Sequence, residues 1–527
     1  MYNQRQIRLL DCTLRDGGHL VEGCFGREVI KNIIKKLVEA RVDIIEVGFL
    51  WDKEYSEDIA RYYTIKDVKR ILPEDTGNSK FALMADFIDL EHLEPCDGTV
   101  EFIRLSFKRH RLQWALDTAR ILINKGYKVF INPVNCNVYT DEQYLDVIRK
   151  VNTLHPYGFS IVDTFGVMRL RDLNCKYSLV ENNLDKDITI GLHLHENLGL
   201  AYSLAQQFLH MANPKRSILI DASLLGMGRV PGNLCIEQII DHLNFEYGNN
   251  YRVEPVFDAV DDYIAPIKKK IPWGYAIPYA LSAKYNLHRT YAEFLVNKWK
   301  LRTSDIERIL PMINKSEAEM FNKDYVEHLY RKYMSVKVND TKSFETLKSS
   351  LQHKEILLVA PGSSINGCNS KITDFINANH PVIIGIHCVP ESLNIDYVFY
   401  SNIKRFEVLR SLQKSGRVIA SSNLIRYGGL EDAIVINYKK LAYHNSEYCD
   451  DSVLMVLNML KIIGFKKITV AGFDGIKNGK GSFYIDILSR TDRNNCYNDY
   501  ILGILKNHYS DINIEFLTHS YYENYNR

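Results

Sequence analysis

The sequence predicts an α/β protein with a (β/α)₈ TIM barrel, a helical connector and a second, Rossmann-like α/β domain. Three observations carry this prediction: strand-like and helical segments alternate at first, a purely helical stretch follows, and strand-like runs then return. At 527 residues the chain is too long for one ordinary domain, since domains hold about 100–200 residues and a barrel about 250. We therefore expect domains at residues 1–285, 286–352 and 353–527.

Eight short apolar runs rich in β-branched residues predict the strands of the barrel. These runs are Ile7–Leu10, Asp43–Phe49, Lys80–Met84, Glu101–Ser106, Tyr127–Pro133, Gly158–Asp163, Ile188–Leu192 and Ser217–Ala222. Intervening segments such as REVIKNIIKKLVEA repeat their apolar residues at three- and four-residue spacing, which is typical of helices with one buried face. Eight such units with nearly continuous apolar strands favour a closed barrel over the alternative, a doubly wound open sheet.

The second half of the chain changes character twice. Residues 286–352 are predicted to form helices broken at Pro311, with Ser304 as an N-cap. Six further strands are predicted at Glu355–Ala360, Val382–His387, Tyr397–Tyr400, Val418–Ser421, Ile468–Ala471 and Asn513–Leu517. The segment DSVLMVLNMLKIIG between them predicts an amphipathic helix that ends at Gly464.

Composition and charge exclude several classes of protein. The apolar fraction of 46% and the charged fraction of 25% are those of a soluble globular protein. A net charge of +2 without a long basic run gives no field that would draw nucleic acid. The ten cysteines form no C-x-x-C pair, no secretory leader precedes them, and no apolar run reaches the roughly 20 residues of a membrane span. We expect a cytoplasmic protein without a nucleic-acid or membrane partner, and self-association into a homo-oligomer is left open.

Five polar residues follow two of the predicted barrel strands. The first strand ends in D-C-T-L-R-D-G-G-H, which contains Arg15, Asp16 and His19, and the seventh ends in G-L-H-L-H-E-N, which contains His193 and His195. Alternate strand residues point to one side, so both imidazoles can face Asp16 across the barrel mouth. One carboxylate and two imidazoles suit a catalytic divalent metal, manganese or magnesium. Taken singly, H-x-H is a weak signal, Asp16 could be a helix N-cap, and Arg15 could be its ion-pair partner.

Three motifs resemble those of the metal-dependent aldolase and acyltransferase TIM-barrel superfamily. They are the first-strand segment, H-L-H-E-N, and D-A-S-L-L-G-M-G-R-V-P-G-N, and the resemblance covers roughly residues 5–285. The superfamily includes 4-hydroxy-2-oxovalerate aldolase, 3-hydroxy-3-methylglutaryl-CoA lyase and isopropylmalate synthase. The resemblance implies that Asp16, His193 and His195 bind the metal, with Asn233 as a further ligand or its neighbour. It also implies that Arg15 stabilises the enolate of the substrate.

The aldolase branch of this superfamily is the most similar. The synthases have D-G-E-Q where this chain has D-G-G-H, and the resemblance implies that His19 is the base acting on the substrate hydroxyl. The CoA-thioester lyase has a cysteine near the position of Met227, which argues against that branch. In W-G-Y-A-I-P-Y, Tyr279 is similar to an aldolase tyrosine that donates a proton. A packing role for Tyr279 stays open, and Tyr275 is the alternative if the alignment is shifted.

Four further residues at predicted strand ends are candidates for substrate binding. Glu46 could pair with Arg15 or position a water, and a structural ion pair is the alternative. Arg104 could bind a substrate carboxylate, because a guanidinium matches that geometry. Asn132 and Asp163 are candidates for polar lining. Gly226, Gly228 and Gly232 would let their loop turn tightly or approach a ligand.

The second half carries weaker signals. V-A-P-G-S-S-I lies between a strand and a helix, where backbone amides and serines can bind phosphate, although a single-glycine turn is more often only a turn. D-Y-V-F-Y-S-N and I-T-V-A-G-F-D-G faintly resemble a Rossmann-like family of motility accessory proteins and surface-glycan glycosyltransferases. That resemblance implies a nucleotide or sugar-phosphate site with Ser363, Ser364, Asn402 and Asp474.

The sequence therefore predicts an aldolase that joins or splits a 2-oxo acid such as pyruvate and an aldehyde. The fusion with the second domain suggests a place in unusual-sugar or surface-polysaccharide synthesis. Two alternatives are an acetyl-CoA-dependent Claisen-type acyltransferase, and a non-catalytic scaffold whose C-terminal domain binds nucleotide or glycan. Aldolases of the superfamily dock a dehydrogenase through helices after the barrel, and residues 286–352 could do the same. The favoured interpretation of these residues is a simple connector between domains.

Overall fold

The computed structural model describes residues 6–229, 231–318, 320–387, 393–410, 416–443, 450–477, 480–481 and 496–525. The chain divides into two compact units. The first comprises Met1–Glu293 with Lys315–Phe321, and the second comprises Phe294–Asn314 with Asn322–Arg527. Within the described residues, no helix combines the length and the apolar character that crossing a membrane requires.

The first unit contains a closed barrel of eight parallel strands. The strands are β1 (Ile7–Asp11), β2 (Ile44–Leu50), β3 (Lys80–Asp86), β4 (Phe102–Phe107), β5 (Lys128–Pro133), β6 (Gly158–Asp163), β7 (Thr189–Leu194) and β8 (Ile218–Ala222). Neighbours in the chain are neighbours in the sheet, and pairing of β1 with both β8 and β2 closes the cylinder. A two-residue strand, Arg61–Tyr62, is added beside β2. The predicted barrel is confirmed.

Helices follow seven of the eight strands. They are α1 (Arg27–Glu39), α2 (Ile65–Lys69), α3 (Leu112–Asn124), α4 (Asp141–Leu154), α5 (Leu170–Asn183), α6 (Ala201–Met211) and α7 (Ile236–Tyr247). The spacing of apolar residues explains which face each helix buries. In α1 the buried side chains are Ile30, Ile33, Ile34 and Leu37, one stripe along the helix. Between β3 and β4 the described chain forms turns rather than a helix.

The interior of the barrel is arranged in layers that follow from the two-residue period of a strand. Six apolar side chains fill one layer, namely Leu10, Ile44, Ala82, Phe102, Phe130 and Leu219. Two residues further along the same strands, and therefore on the same side, lie Cys12, Glu46, Arg104, Asn132 and Asp221. A packed apolar floor thus supports a layer of mostly polar side chains at the carboxyl ends of the strands, where barrel enzymes place their chemistry.

Several helices follow the barrel. They are α8 (Glu254–Ala259), joined by a π-turn at Val260–Ile264 to α9 (Ala265–Lys270), then α10 (Ile277–Lys284), α11 (Thr290–Val296), α12 (Thr303–Ile309), α13 (Lys323–Met334) and α14 (Thr341–Leu351). The last three belong to the second unit, where Tyr333 on α13 and Tyr427 both donate to Asp305 on α12. The domain limits expected from the sequence stay predictions.

The second unit is built on an open sheet of seven parallel strands. They are β9 (Ile356–Val359), β10 (Val382–Ile386), β11 (Tyr397–Tyr400), β12 (Arg417–Ser421), β13 (Ile434–Ile436), β14 (Lys467–Ala471) and β15 (Asn513–Phe516). Their spatial order is β13-β12-β11-β10-β9-β14-β15. The predicted second α/β domain is confirmed, although the short strand β13 was not predicted.

The helices of the second unit are α15 (Asn369–Asn379), α16 (Ile403–Arg410), α17 (Tyr438–Leu441), α18 (Ser452–Ile463) and α19 (Cys496–His508). Asp451 caps α18 by accepting from the amides of Val453 and Leu454. Gly464 ends the helix with φ 110°, a value that glycine adopts readily. The end predicted for this helix is therefore where the structure has it.

Candidate metal centre at the barrel mouth

A tight turn after β1 presents Arg15 and Asp16 to the barrel mouth. The amides of Asp16 and Gly17 both point back to the carbonyl of Cys12, at 2.7 and 3.4 Å. A Cβ at Gly17 would lie 2.9 Å from the side chain of Met227, so a glycine is needed where the loop after β8 crosses the turn. The turn and the β8 loop are thereby fixed against each other.

The imidazoles of His193 and His195 converge on the carboxylate of Asp16. Their Nε2 atoms lie 3.1 and 3.4 Å from the same oxygen, Asp16 Oδ2. The three residues are between 2% and 8% exposed. A carboxylate oxygen and two imidazole nitrogens that converge in this way form a donor set suited to a divalent cation. The structure thus brings together the three ligands that the sequence suggested.

The Nδ1 atom of each imidazole, on the side of the ring away from Asp16, also has a hydrogen-bond partner. Nδ1 of His193 lies 3.0 Å from Asp221 Oδ2, and Nδ1 of His195 lies 3.0 Å from the carbonyl oxygen of Asp163. Because a carbonyl oxygen only accepts, His195 must donate from Nδ1, which leaves the lone pair of its Nε2 facing Asp16. Such partners orient the rings of metal-binding histidines.

Cys12 also lies close to this group. One ligand atom each from Cys12, Asp16 and His193 lie within 4.8 Å of one another. The thiol of Cys12 donates to the carbonyl of Ala222 at 3.2 Å, and burial raises its pKa well above the usual range. A protonated thiol is a weaker ligand than an imidazole lone pair, so Asp16, His193 and His195 fit a divalent cation better.

Asn233 supplies a further oxygen beside His195. The backbones of the two residues form an antiparallel bridge, and the Asn233 amide nitrogen donates to the carbonyl of Met227 at 3.2 Å. Its buried Oδ1 has no hydrogen-bond partner among the described residues. A Cβ at Gly228 would lie 2.4 Å from the Asn233 side chain, so that glycine makes room for it. A buried oxygen without a partner, on a residue whose backbone pairs with that of His195, is suited to be an additional metal ligand.

A chain of alternating charges lies directly beneath the centre. Arg15 donates from Nε to Glu46 at 2.6 Å and lies 3.2 Å from Asp16 through Nη1. Arg104 bridges Glu46 to Asp221, with Nη1 3.3 Å from Glu46 and Nη2 2.5 Å from Asp221. Burial of these charges is costly unless each is paired, and here every one has an opposite neighbour. The chain links the Arg15 guanidinium to the carboxylate that orients His193.

The neighbouring groups determine the charge states of Asp16 and Arg15. Burial opposes ionisation of Asp16, but Arg15 and the two histidines lower its pKa well below the usual range. Burial also opposes the charge of Arg15, yet Glu46 and Asp16 raise its pKa. A carboxylate and a guanidinium therefore stand side by side at the centre.

Asn132 and Asp163 are buried in the wall of the barrel. Asn132 Oδ1 lies 3.4 Å from Nη2 of Arg104. The carboxylate of Asp163 accepts from the amides of Val167 and Met168, both at 3.0 Å, and so holds the turn after β6. Burial raises the pKa of Asp163 to about 7. Their substrate-binding role stays a prediction, as does that of Glu46 and Arg104.

His19 and Tyr279 lie outside the buried cluster. The exposed ring of His19 packs edge-on against Phe49, with centroids 5.2 Å apart. Partial desolvation lowers the His19 pKa, Asp16 opposes the shift and Arg15 adds to it, while water around an exposed ring screens part of the effect. Tyr279 donates to Glu293 at 3.2 Å, and burial followed by this carboxylate raises its pKa to about 12. The neighbouring candidate Tyr275 is 60% exposed.

Two of the four candidates in the second unit are in direct contact. Asp474 accepts from the amide and hydroxyl of Ser364, at 2.9 and 2.5 Å. Ser363 is exposed, whereas Asn402 is buried and accepts from the amide of Lys404 at the start of α16. The binding role of the four residues stays a prediction.

Asp221 is the site residue that the sequence reasoning missed. It lies on β8 and is 2% exposed, in contact with both His193 and Arg104. A signal was present, because an acidic residue inside the apolar run S-I-L-I-D-A must find a partner once the strand is buried. Which partner it finds depends on the closure of the barrel.

We expect Asp221→Asn to weaken metal binding without unfolding the protein. The amide oxygen can still accept from His193, but the negative charge beside that ring and Arg104 is lost. Removal of such an orienting partner costs about 10–100-fold in metal affinity. Titration of the metal-free protein with Mn²⁺ measures the change in affinity. Asp146→Asn, at an exposed residue of α4, is the matched control and should bind like the wild type, and equal affinities of the two variants would contradict the role.

The comparisons with known proteins concern mainly the barrel half of the chain. Residues 6–253 match the sequence model of the family described as HMGL-like. The 4-hydroxy-2-oxovalerate aldolase of Geobacillus genomosp. 3 is 24% identical over 281 residues, which are 49% of this chain and 79% of the relative. The homocitrate synthase of Pyrococcus abyssi is 28% identical over 260 residues, 47% of this chain and 69% of the relative.

Among solved structures, the carboxyl transferase domain of Rhizobium etli pyruvate carboxylase, solved with 3-bromopyruvate, aligns with a TM-score of 0.48. Its identity is 9%, and the alignment covers 66% of each chain. The superfamily resemblance of the barrel segment, inferred from three motifs, is confirmed by the family match and the curated relatives.

Proposed function

Residues 6–253 match the sequence model of the HMGL-like family, and from this premise we propose that the chain is a divalent-metal-dependent aldolase. Its substrates are a pyruvate-type 2-oxo acid and an aldehyde, or the 4-hydroxy-2-oxo acid that joins them. One observation carries the proposal: two imidazole Nε2 atoms face one oxygen of Asp16, and the Arg15 guanidinium lies next to that carboxylate. Cleavage of a carbon–carbon bond next to a carbonyl leaves negative charge on oxygen, and a cation held by these donors and the Arg15 guanidinium could both stabilise it.

Asp16, His193 and His195 would hold the cation, with Asn233 as a further ligand. Mn²⁺ or Mg²⁺ suits this mixture of oxygen and imidazole donors. A divalent cation bound there supplies Lewis-acid polarisation of a carbonyl oxygen. The remaining steps are assigned to side chains of this protein.

Arg15 is placed to stabilise the enolate. Its Nε and Nη1 are engaged by Glu46 and Asp16, and the described residues provide no partner for Nη2. Those N–H groups can donate to the oxygen on which negative charge develops. Glu46 holds this guanidinium in place and Arg104 holds Asp221, so in this proposal both serve as positioning residues.

His19 is placed to act as the base. Its lowered pKa keeps the ring neutral near pH 7, so it can accept the proton of the C4 hydroxyl. The C3–C4 bond then breaks, the aldehyde leaves, and the electron pair passes to C3 and the C2 oxygen as the enolate of pyruvate. Protonation of C3 completes cleavage, and Tyr279, whose hydroxyl stays protonated, is our candidate donor.

A second candidate is a Claisen-type acyltransferase that uses acetyl-CoA. The similarity to a homocitrate synthase, at 28% identity, favours it. Such a reaction also passes through an enolate, so the cation and Arg15 would serve both reactions. The residue that distinguishes them is His19, which has a proton to accept in the aldol reaction.

The test is turnover of 4-hydroxy-2-oxo acids by the full chain with Mn²⁺. We expect release of pyruvate, measured by coupled oxidation of NADH with lactate dehydrogenase, for at least one member of a panel with different C4 substituents. Chelation should abolish the activity and added Mn²⁺ should restore it. Thiol release from acetyl-CoA without pyruvate turnover would favour the acyltransferase, and activity that survives chelation would contradict both.

A cytoplasmic location and a role in unusual-sugar or surface-polysaccharide synthesis remain parts of this proposal. They rest on the sequence and on the fusion of the barrel with a second α/β domain.

A further inference from the structure

A cavity opens at the carboxyl ends of β9 and β14 in the second unit. These two strands are neighbours in the sheet. After β9 the chain continues to β10 on one side of the pair, and after β14 it continues to β15 on the other side. Ligands of open α/β sheets bind in the crevice outside such a switch point. The turns 360–362 and 472–476 form its walls.

The two turns approach each other backbone to backbone. The amide of Gly362 donates to the carbonyl of Gly472 at 2.9 Å. A Cβ on Gly362 would lie 2.3 Å from that carbonyl oxygen, and Gly472 has a φ of 74°. Both positions therefore require glycine. Because neither residue has a side chain, the two turns can lie this close together in the cavity wall.

A buried guanidinium and a buried imidazole also line the cavity. Burial holds the pKa of His387 well below its usual range, so the imidazole is uncharged. Arg405, on α16, is 7% exposed and lines the cavity. His387 follows β10 and is 1% exposed; its Nε2 lies 2.8 Å from the hydroxyl of Ser452, the first residue of α18. Its Nδ1 has no hydrogen-bond partner among the described residues. An unsatisfied buried nitrogen in the lining of a cavity marks a place where a ligand atom can bind.

The acidic residues of the cavity are already engaged. Asp451 caps α18 with one oxygen and accepts from the hydroxyl of Tyr497 with the other. Asp474 accepts twice from Ser364. The first residues of α18, Ser452 and Val453, also line the cavity, and the positive end of the helix dipole lies there. Arg405 is the cationic side chain of the described lining, and His387 can donate from Nδ1 to an anion bound beside it.

We propose that this cavity binds a phosphate-bearing small molecule, with the phosphate on Arg405 and His387 and the organic part beside Trp299. A guanidinium matches two phosphate oxygens at once, which favours phosphate esters over singly charged acids. Trp299 is half-buried, lines the cavity, and lies under the Arg405 guanidinium at 5.3 Å, so a flat or sugar ring can pack against it. Of the four residues suggested by the sequence, Asp474 alone is in this lining, and Arg405 and His387 take the binding role.

The test measures binding by calorimetry to the full-length chain. The probes are inorganic phosphate, the four nucleoside 5′-monophosphates, the matching uncharged nucleosides, and glucose 1-phosphate. We expect at least one phosphate ester to bind and the nucleosides to fail. Arg405→Gln should lose about tenfold or more in affinity, the usual effect of one charge-assisted contact. Arg417→Gln, at an exposed arginine at the amino end of β12, is the matched control and should bind like the wild type.

The class of probe that binds identifies the organic part, as a nucleotide, a sugar phosphate or phosphate alone. No binding by any phosphate, or equal binding by Arg405→Gln and the wild type, would overturn the proposal. Hydrogen–deuterium exchange of the wild type avoids any effect of Arg405→Gln on folding. Added ligand should slow exchange in residues 360–365 and 472–476, whereas protection confined to the barrel would also overturn it. None of these results depends on the reaction of the barrel.

Discussion

His193→Ala should remove both the bound metal and the activity while the barrel stays folded. The substitution takes away one nitrogen donor and the contact between Asp16 and Asp221 that runs through this ring. Loss of an orienting partner alone weakens metal binding by about 10–100-fold, so loss of a ligand should cost at least about 100-fold. Metal analysis of the purified protein, and pyruvate release at saturating substrate, measure the two effects.

The fold should survive because His193 lies among polar side chains, between Asp16 and Asp221, and is not one of the apolar side chains that fill the barrel floor. Circular dichroism should be unchanged, and the control His210→Ala, at an exposed residue of α6, should keep metal and activity. A His193→Ala protein with wild-type metal content would show that the imidazoles do not bind a shared cation.

The period of a strand explains why so much of this centre could be predicted. His193 and His195 are two residues apart, so a single inference about β7 placed both on one face. Asp16 follows β1, and β8 alone separates β1 from β7 in the closed barrel. The order of the strands in the barrel therefore predicts that these side chains converge. In the structure the Nε2 atoms of the two histidines lie within 3.4 Å of Asp16 Oδ2.

The contacts that sequence reasoning did not supply are those between distant strands. Arg104 on β4 was expected to meet a substrate carboxylate, and in the structure it contacts Asp221 on β8, 117 positions away. The residue pattern along a single strand cannot predict which residue of a distant strand its side chains will contact across the barrel. The same limit applies in the second unit, where His387 and Arg405 share a cavity with residues after β14. Three-residue β13 escaped prediction because so short a run carries no recognisable period.

Arg15→Lys should lower the rate of catalysis by about 100-fold or more, the effect of removing one donor to a developing oxyanion. Lysine keeps the positive charge beside Glu46 and Asp16, so metal content should remain close to that of the wild type. It loses the planar fork, and with it the Nη2 donors that the described residues leave for the enolate oxygen. The loss should therefore appear in kcat more than in KM.

Arg27→Lys is the matched control, because Arg27 forms an exposed ion pair with Glu57 at the start of α1. Exposed pairs contribute about 0–1 kcal/mol to stability, and that variant should keep full activity. Loss of metal from Arg15→Lys would mean that the guanidinium mainly fixes Asp16, which is a positioning role. Retained metal with kcat unchanged would contradict the role of the planar guanidinium, since a positive charge alone would then be sufficient.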